Sequence, residues 1–506
     1  VNTQIRRLGI GLLACYMALF VMLNWIQFAQ KKSLDANALN TLQVKQDFNK
    51  PRGTISSADG VLLAQSVDTP DSEFKRQRTY PTGDLFGQLT GFYTFNFGST
   101  GLEKTYDAEL AGQTIGQQIH GFADLLSPRP QVGNLTISVR NDLQQLAKQA
   151  LGDRAGSVVA IDPQNGELLA FWSYPSFDPN YLSTNDQKAA AAAREFLTAL
   201  PGQPLRAHQY QERYFPGSTF KVVTGSTGVQ TGKVTLDSPS YPVATGYKPP
   251  GTTRTISNFG GESCGGTLEP ILRLSCNSAF AEMGTETIGP ADMIAGAQSF
   301  GFNARPPIDL PAPVASAFPT DFTRNLPALA QASIGQNDVQ ATPLEMALVA
   351  SAVANNGTIM KPHAMREVRD SEGALIGRYD VGKWLQPLSP DNAATMRAAM
   401  VDVVAEGTAT RLQIPGYEVG GKTGTAQVGS DPPTSHTWII GFAGPPGGAP
   451  RIAVSVVVLD QPGVREATGG LVAAPIAQQV MSAYLDAEGS SRSPRDVHGL
   501  PVLRAG

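Results

Sequence analysis

Between Leu8 and Ala29 the chain runs for 22 residues without a formal charge, with Asn24 and Gln27 its most polar members. At about 1.5 Å per residue, a helix of that length spans the roughly 30 Å hydrocarbon core of a bilayer. Arg6 and Arg7 precede the run and Lys31 and Lys32 follow it, so its basic flanks do not orient it. A cleaved leader usually has a shorter apolar region ending at a small-x-small site. Residues 1–30 lack such a site and read as an uncleaved anchor. No comparable run follows, which places the rest of the chain on one side of the membrane.

Residues 31 to about 135 are polar, with short apolar runs broken by Gly and Pro. They predict an irregular α+β module of modest core. The texture then changes, and residues 136–486 form the next unit. Asn134 to Val139 alternates like a strand. Arg140 to Leu151 has helical spacing, with Leu143, Leu146, Ala147, Ala150 and Leu151 on one face. Ser157–Asp162 and Glu167–Trp172, joined by Asp-Pro-Gln-Asn-Gly, predict a hairpin. Thr184 to Leu200 is an Ala-rich helix. Thr342-Pro343-Leu344-Glu345 opens another, with Thr at the cap, Pro at the first position and Glu three after the cap, running to about Ala354. Tyr417–Gln427, Thr437–Ala443 and Ile452–Asp460 read as three consecutive strands, and Leu471–Leu485 as a helix. Strands at both ends of a mainly helical stretch predict one antiparallel sheet with helices around it. Residues 487–506, rich in Ser, Arg, Pro and Gly, read as a flexible tail.

Charge and composition narrow the function. Across 506 residues, 39 Lys and Arg against 43 Asp and Glu leave a net charge of −4, which argues against a nucleic-acid binder. With 41% hydrophobic residues the bulk of the chain can build a core. Three Cys exclude a disulfide-dense scaffold, and five scattered His without HxxxH or CxxC spacing point away from a metal site. No cofactor is expected.

Three short patterns occur in order: Ser218-Thr219-Phe220-Lys221, Ser275-Cys276-Asn277 and Lys422-Thr423-Gly424. Each is weak alone. An S-x-x-K arises by chance roughly twice in a chain this long, and an S-x-N about as often. Ser72-Glu73-Phe74-Lys75 and Ser183-Thr184-Asn185 are second copies. Context separates them. Ser72 lies in the charged run Asp71–Arg78, which reads as solvated surface, and Ser183 in a polar cap. Ser218 follows Phe215-Pro216-Gly217 and leads into Phe220, Val222 and Val223, a tight turn opening a buried helix.

A helix puts residues i and i+3 on one face, so Lys221 is expected beside Ser218. A serine hydroxyl needs a base to become a nucleophile. Lys221 serves only if neutral, and both burial and a second cation, Lys422, would depress its pKa. The helix N-terminus offers N–H donors at the nucleophile. On a strand, Lys422 and Gly424 share one face and Thr423 and Thr425 the other. The glycine reads as clearance for a peptide substrate adding as an extra strand, and the cations and hydroxyls suit a substrate carboxylate.

Together these residues resemble the signature of the class B penicillin-binding proteins, serine D,D-transpeptidases of peptidoglycan. Tyr214–Lys221 resembles the family's YPPGSTFK, with Phe215 for Pro. Gly335–Gly357 resembles GQG…TPLQMA…ANGG, with Asn337 for Gly and Glu345 for Gln. His436–Ala443 resembles HAWFVGFAP, and Gly156–Pro175 the first strand pair. Arg52-Gly53-Thr54-Ile55 and Gly101-Leu102-Glu103 resemble motifs of the family's pedestal domain. Nearly the whole chain is covered, and the likeness is greatest to the actinobacterial penicillin-binding protein A group. The roughly 100 residues before the catalytic unit are too few for a glycosyltransferase module plus a linker.

The resemblance implies an α/β (α+β) fold: a five-stranded antiparallel sheet flanked by helices, a pedestal or dimerisation-like module over residues 31–135, and a membrane anchor. It implies a catalytic domain outside the plasma membrane. Its partners would be peptidoglycan stem peptides, β-lactam antibiotics, and a glycosyltransferase of the cell-wall machinery. Ser218 would attack the D-Ala-D-Ala bond with Lys221 as base. Ser275 would pass a proton to the leaving amine, and Asn277 would orient Lys221. Lys422, Thr423 and Thr425 would hold the terminal carboxylate, and the N–H groups of Ser218 and Thr425 would form the oxyanion hole. Trp438 would pack the core, and Arg52 would pair with Glu103. With Cys15 in the anchor, Cys264 and Cys276 become an even pair in an extracytoplasmic domain and are expected to be disulfide-bonded, two buried free thiols being the alternative.

Rival readings remain. Gly261-Glu262-Ser263-Cys264-Gly265 fits G-x-S-x-G, but a nucleophile elbow needs a buried strand before it and a helix after it. A D,D-carboxypeptidase or a β-lactamase would use the same site with water as acceptor. A β-lactam sensor would need a signalling portion across the membrane, where only about seven residues precede the span.

Overall fold

The computed structural model describes residues 2–29, 45, 48–70, 72–114, 132–322, 325–428, 434–462 and 467–492. Lys31, Lys32 and Asp71, and the tail from residue 493, lie outside these. A helix covers Asn2–Ala29, and its apolar side chains from Ile5 to Trp25 are exposed, without a protein surface to bury them among the described residues. It is long and apolar enough to cross a membrane.

The pedestal is a six-stranded sheet. Its spatial order is Leu375–Arg378, Met365–Arg369, Asn134–Ile137, Ile55–Ser56, Leu62–Asp68 and Arg76–Thr79. Ile55–Ser56 runs parallel to Asn134–Ile137, and the other neighbours are antiparallel. The expected boundary between residues 135 and 136 therefore falls inside a pedestal strand. Leu135 and Ile137 alternate into the buried face beside Ile55. More than 200 residues later in sequence the chain returns, and Met365–Arg369 pairs antiparallel along Asn134–Ile137. Alternation reveals a strand but not its partner.

The run ending at Arg78 is only in part the solvated surface the sequence implied: Glu73 and Lys75 are exposed. Phe74 and Arg78 are buried, each 2% exposed. Arg78 Nε donates to Glu103 Oε1 at 2.6 Å and Arg52 Nε to Glu103 Oε2 at 2.6 Å. Arg52 also reaches Asp107 Oδ1 at 2.7 Å. Burial alone would raise the Glu103 carboxyl, yet Arg78 and Arg52 outweigh it and hold the group below the usual range. An arginine is admitted here because its inward place on the strand is matched by a carboxylate.

The second sheet has five antiparallel strands in the order Glu418–Val428, Thr434–Gly444, Ile452–Pro462, Gly156–Ile161, Leu168–Tyr174. Glu418–Val428 is at its edge. The hairpin turn is closed by Asp162 Oδ1, which accepts from Gln164 N–H at 2.8 Å. One face is covered by the wholly buried helix Pro343–Ala354. Thr342 Oγ1 caps it by accepting from Glu345 N–H at 3.0 Å. Glu345 does not complete a reciprocal cap: Thr342 N–H donates to Ser316 Oγ at 3.1 Å, and both carboxyl oxygens of Glu345 are buried without a hydrogen-bond partner among the described residues. Burial pushes that carboxyl up to about 8.

Two helix limits differ from the sequence reading. The Ala-rich helix spans Gln187–Ala199, because Asp186 Oδ1 accepts from Lys188 and Ala189 N–H at 3.0 and 3.1 Å and fixes the start there. The last helix, Gly469–Arg492, continues past residue 487, so the expected tail is helical for its first six residues.

Candidate active site

A 3₁₀ turn, Gly217–Phe220, leads straight into the helix Lys221–Gln230, all of whose residues but Gln230 are buried. Gly217 opens the turn with a φ of 54°, and a Cβ there would stand 2.9 Å from the Thr425 carbonyl oxygen. Gly217 N–H donates to Gly335 O at 3.0 Å. Ser218 is half-buried on the wall of a cleft of about 970 Å³.

Lys221 lies fully buried below it. Its Nζ donates to Ser275 O at 2.6 Å, to Asn277 Oδ1 at 2.7 Å and to Ser275 Oγ at 3.2 Å. Among the described residues no hydrogen bond joins Ser218 Oγ to Lys221 Nζ, although both flank the same turn. The lysine is held by the second motif. Burial, and then the Lys422 charge, push it well below the usual lysine range. Lys422 is also fully buried, donates from Nζ to Thr423 O at 3.1 Å, and is brought down to about 7 by burial.

Ser275 adopts a left-handed φ of 59°, and Asn277 begins the helix Asn277–Glu282. Asn277 Nδ2 donates to Ser257 O at 3.0 Å. Between them Cys276 turns away and is disulfide-bonded to Cys264, with Cα atoms 5.9 Å apart.

On the edge strand the side chains alternate as the spacing implied. Thr423 and Thr425 line the cleft. Thr423 shares a 2.7 Å hydrogen bond with Thr408, and Thr425 Oγ1 accepts from Gly469 N–H at 3.4 Å. Gly424 faces the other way and does not line the cleft. A Cβ there would come within 2.8 Å of Pro216 O and 2.9 Å of Thr219 Cγ2. The missing side chain makes room for the turn carrying Ser218. Trp438 is buried and donates from Nε1 to Phe215 O at 3.0 Å, anchoring the same turn.

The decoys fall elsewhere. Ser263 is exposed between the turn Phe259–Gly261 and the short strand Cys264–Gly266, so no nucleophile elbow forms. Lys75 Nζ donates to Pro70 O at 3.0 Å, and Ser72 Oγ accepts from Asn185 at 3.4 Å. Sequence reasoning missed Thr408 and Asn258. Asn258 is buried and ties Ala244 O, Glu262 O and Ser278 N–H together at 2.7, 3.0 and 2.8 Å. Neither belongs to a short motif, and no local pattern marks them. Among the described residues no group of three or more His, Cys, Asp or Glu could hold a metal ion.

Known proteins resemble this chain in sequence and fold. The penicillin binding protein transpeptidase domain matches residues 156–482, and the penicillin binding protein A dimerisation domain matches residues 52–135. The chain is 37% identical over 500 residues to the peptidoglycan D,D-transpeptidase PbpA of Mycolicibacterium smegmatis, covering 96% of this chain and 99% of that one. It is 34% identical over 506 residues to PbpA of Mycobacterium tuberculosis, covering 96% and 100%. It superposes on the penicillin G acyl-enzyme complex of M. tuberculosis penicillin-binding protein A with a TM-score of 0.78 at 33% identity, covering 86% of this chain and 99% of that one. With this coverage and identity, the chain belongs to the penicillin-binding protein transpeptidases, in the family of PbpA.

Proposed function

We infer that this protein is a peptidoglycan D,D-transpeptidase that works through a Ser218 acyl-enzyme and is acylated by β-lactams. The observation that carries the reading is a pair of buried lysines, Lys221 and Lys422, beneath a half-buried serine on the wall of a large cleft. A lysine kept from its proton is a base, and Lys221 sits in hydrogen-bond contact with Ser275 and Asn277. In the first half-reaction Ser218 Oγ bonds to the penultimate D-Ala carbonyl carbon of a stem peptide. Its proton goes to Lys221 and returns, by way of Ser275, to the nitrogen of the departing D-Ala as that C–N bond breaks. Asn277 holds Lys221. The N–H groups of Ser218 and Thr425 stabilise the oxyanion. Thr423 and Thr425 receive the terminal carboxylate, with Lys422 buried behind them and bonded to Thr423 O. In the second half-reaction an amine from a neighbouring stem takes the acyl group.

The apolar helix Asn2–Ala29 anchors the protein in the plasma membrane, with the cleft on the outer side, where the stems are. A glycosyltransferase that lengthens the glycan is the partner the chemistry calls for. The six-stranded sheet, with its returning strands Met365–Arg369 and Leu375–Arg378, serves as the pedestal, and the five-stranded sheet with its helices as the transpeptidase unit.

Intact-mass measurement after exposure to penicillin G tests the reading. The unaltered chain gains one penicillin, as do Ser72→Ala and Ser263→Ala, and Ser218→Ala gains none. Adduct on the Ser218 variant overturns it. With a pentapeptide donor and an amine acceptor, a crosslinked product identifies a transpeptidase, and tetrapeptide alone a carboxypeptidase.

A further inference from the structure

The cleft shows almost no formal charge. Its lining is made of hydroxyls, amides and apolar carbons, and Glu262 is the one ionisable side chain among the lining residues. The Glu262 side chain is exposed and has neither an ion pair nor a hydrogen bond among the described residues. Its main chain is held firmly. Glu262 N–H donates to Phe259 O at 3.3 Å, and its carbonyl accepts from the buried Asn258 at 3.0 Å. Asn258 also accepts from Ser278 N–H at 2.8 Å, Asn277 Nδ2 donates to Ser257 O at 3.0 Å, and Cys264 is bonded to Cys276. Three links thus tie the segment bearing Glu262 to the segment that holds Lys221. The carboxylate itself is left free on a wall that is tied to the reacting groups by these links.

A free carboxylate in a substrate cleft attracts cations, and the proposed reaction brings one. The acceptor is a primary amine, protonated at neutral pH, and no other formal charge lines the cleft to draw it in. Resting on the transpeptidase reading, we propose that Glu262 binds the ammonium group of the acceptor stem's diamino acid and thereby favours amine over water in the second half-reaction. The docked ammonium loses a proton to solvent and attacks as the free amine. A C–N bond forms, the ester bond to Ser218 Oγ breaks, and the second proton lost by the amine passes through Lys221 to Ser218 Oγ. Glu262 acts on acceptor binding and takes no part in the proton transfers.

The test uses the full chain in detergent, with a synthetic stem pentapeptide ending in D-Ala-D-Ala as donor. The acceptors are Nα-acetyl-lysine amide, a cation at neutral pH, and hydroxylamine, which is neutral. Mass spectrometry reads the ratio of aminolysis to hydrolysis per acyl-enzyme formed. Glu262→Gln lowers the lysine-amide ratio about two- to fivefold, as expected for one exposed charge pair. It lowers the hydroxylamine ratio by clearly less, Glu262→Asp recovers part of the loss, and high salt removes the difference between Gln and Glu. A Gln variant with an unchanged lysine-amide ratio, or an equal fall with both acceptors, overturns the proposal, as does an unaltered protein that is acylated but gives no lysine-amide product. The first two results leave the transpeptidase reading standing if penicillin still labels Ser218 and D-Ala is released, whereas the third, with tetrapeptide as the only product, identifies a carboxypeptidase and removes both readings. Absence of both overturns that reading and this one with it.

Discussion

The pedestal and the cleft each bury charged side chains, and they do so under opposite rules. In the pedestal Glu103 lies between Arg52 and Arg78, with Asp107 and Tyr80 completing the set, so that positive and negative charge meet at hydrogen-bond distance. Below the cleft, Lys221 and Lys422 are both buried and neither has a carboxylate partner among the described residues. The compensated cluster keeps its ions charged and fixes geometry. The uncompensated pair drives its ammonium groups toward neutrality and thereby makes a base. A buried ion that has its counter-ion reads as structure, and one that lacks it reads as chemistry.

The sharpest way to break the comparison is to make the pair below the cleft permanently charged. Lys221→Arg abolishes penicillin acylation, because a guanidinium stays protonated. Lys422→Arg slows acylation but leaves a measurable rate, since the second cation is retained. Equal loss in both variants would mean that Lys221 acts only as a charge. Next in size, Glu103→Ala leaves buried Arg78 without a carboxylate and Arg52 with Asp107 alone, and lowers unfolding stability by about 3–5 kcal/mol. Denaturant titration reads the loss, and a change below 1 kcal/mol would remove the structural role from the pedestal cluster.

Glu345 sharpens the comparison from the carboxylate side. Its folded-state pKa is raised to about 8 by burial, against an ordinary 4.5. The folded protein therefore binds more protons than the unfolded chain between those values, and the group's effect on stability worsens as pH rises through that window. Glu345→Gln should stabilise the protein at pH 9 more than at pH 4, by a few kcal/mol at most, as followed by denaturation at the two pH values. An equal effect at both would show that Glu345 is already ionised when folded. The smallest effect belongs to the disulfide. Reducing Cys264–Cys276, or replacing both residues by Ser, slows penicillin acylation severalfold without stopping it, since the bond steadies Ser275 and Asn277 and no sulfur reacts. A chain that loses acylation entirely on mild reduction would assign the bond a larger part.

Local features were legible in the sequence. The apolar span, the Asp162 turn, the Thr342 cap and the alternation of Lys422 and Thr423 all depend on near neighbours along the chain. The motifs carrying Ser218, Ser275, Asn277 and Lys422 converge at one cleft as their order and contexts implied. What could not be read depends on distant partners. Arg78 looks like surface until Glu103 is placed beside it. Gly424 gives no sign of the Pro216 carbonyl found against it. The i, i+3 spacing of Ser218 and Lys221 sets their side of the helix, but Ser275 and Asn277 decide where the ammonium points. Asn258 and Thr408 carry no motif, because each acts by bridging segments far apart in sequence.

The return of Met365–Arg369 to pair with Asn134–Ile137 has a practical outcome for anyone cutting the molecule apart. A fragment begun at residue 136 loses Asn134 and Leu135, the partners of Arg369 and Val368, and with them the three strands beyond, so that a margin of unmet N–H and C=O groups is left on the sheet. Such a bare margin is a template for association with other copies. The smallest autonomous piece containing the cleft has to begin upstream of Ile55, so that the whole six-stranded sheet is retained. A shorter one is expected to be recovered as aggregate even though every residue of the cleft is present.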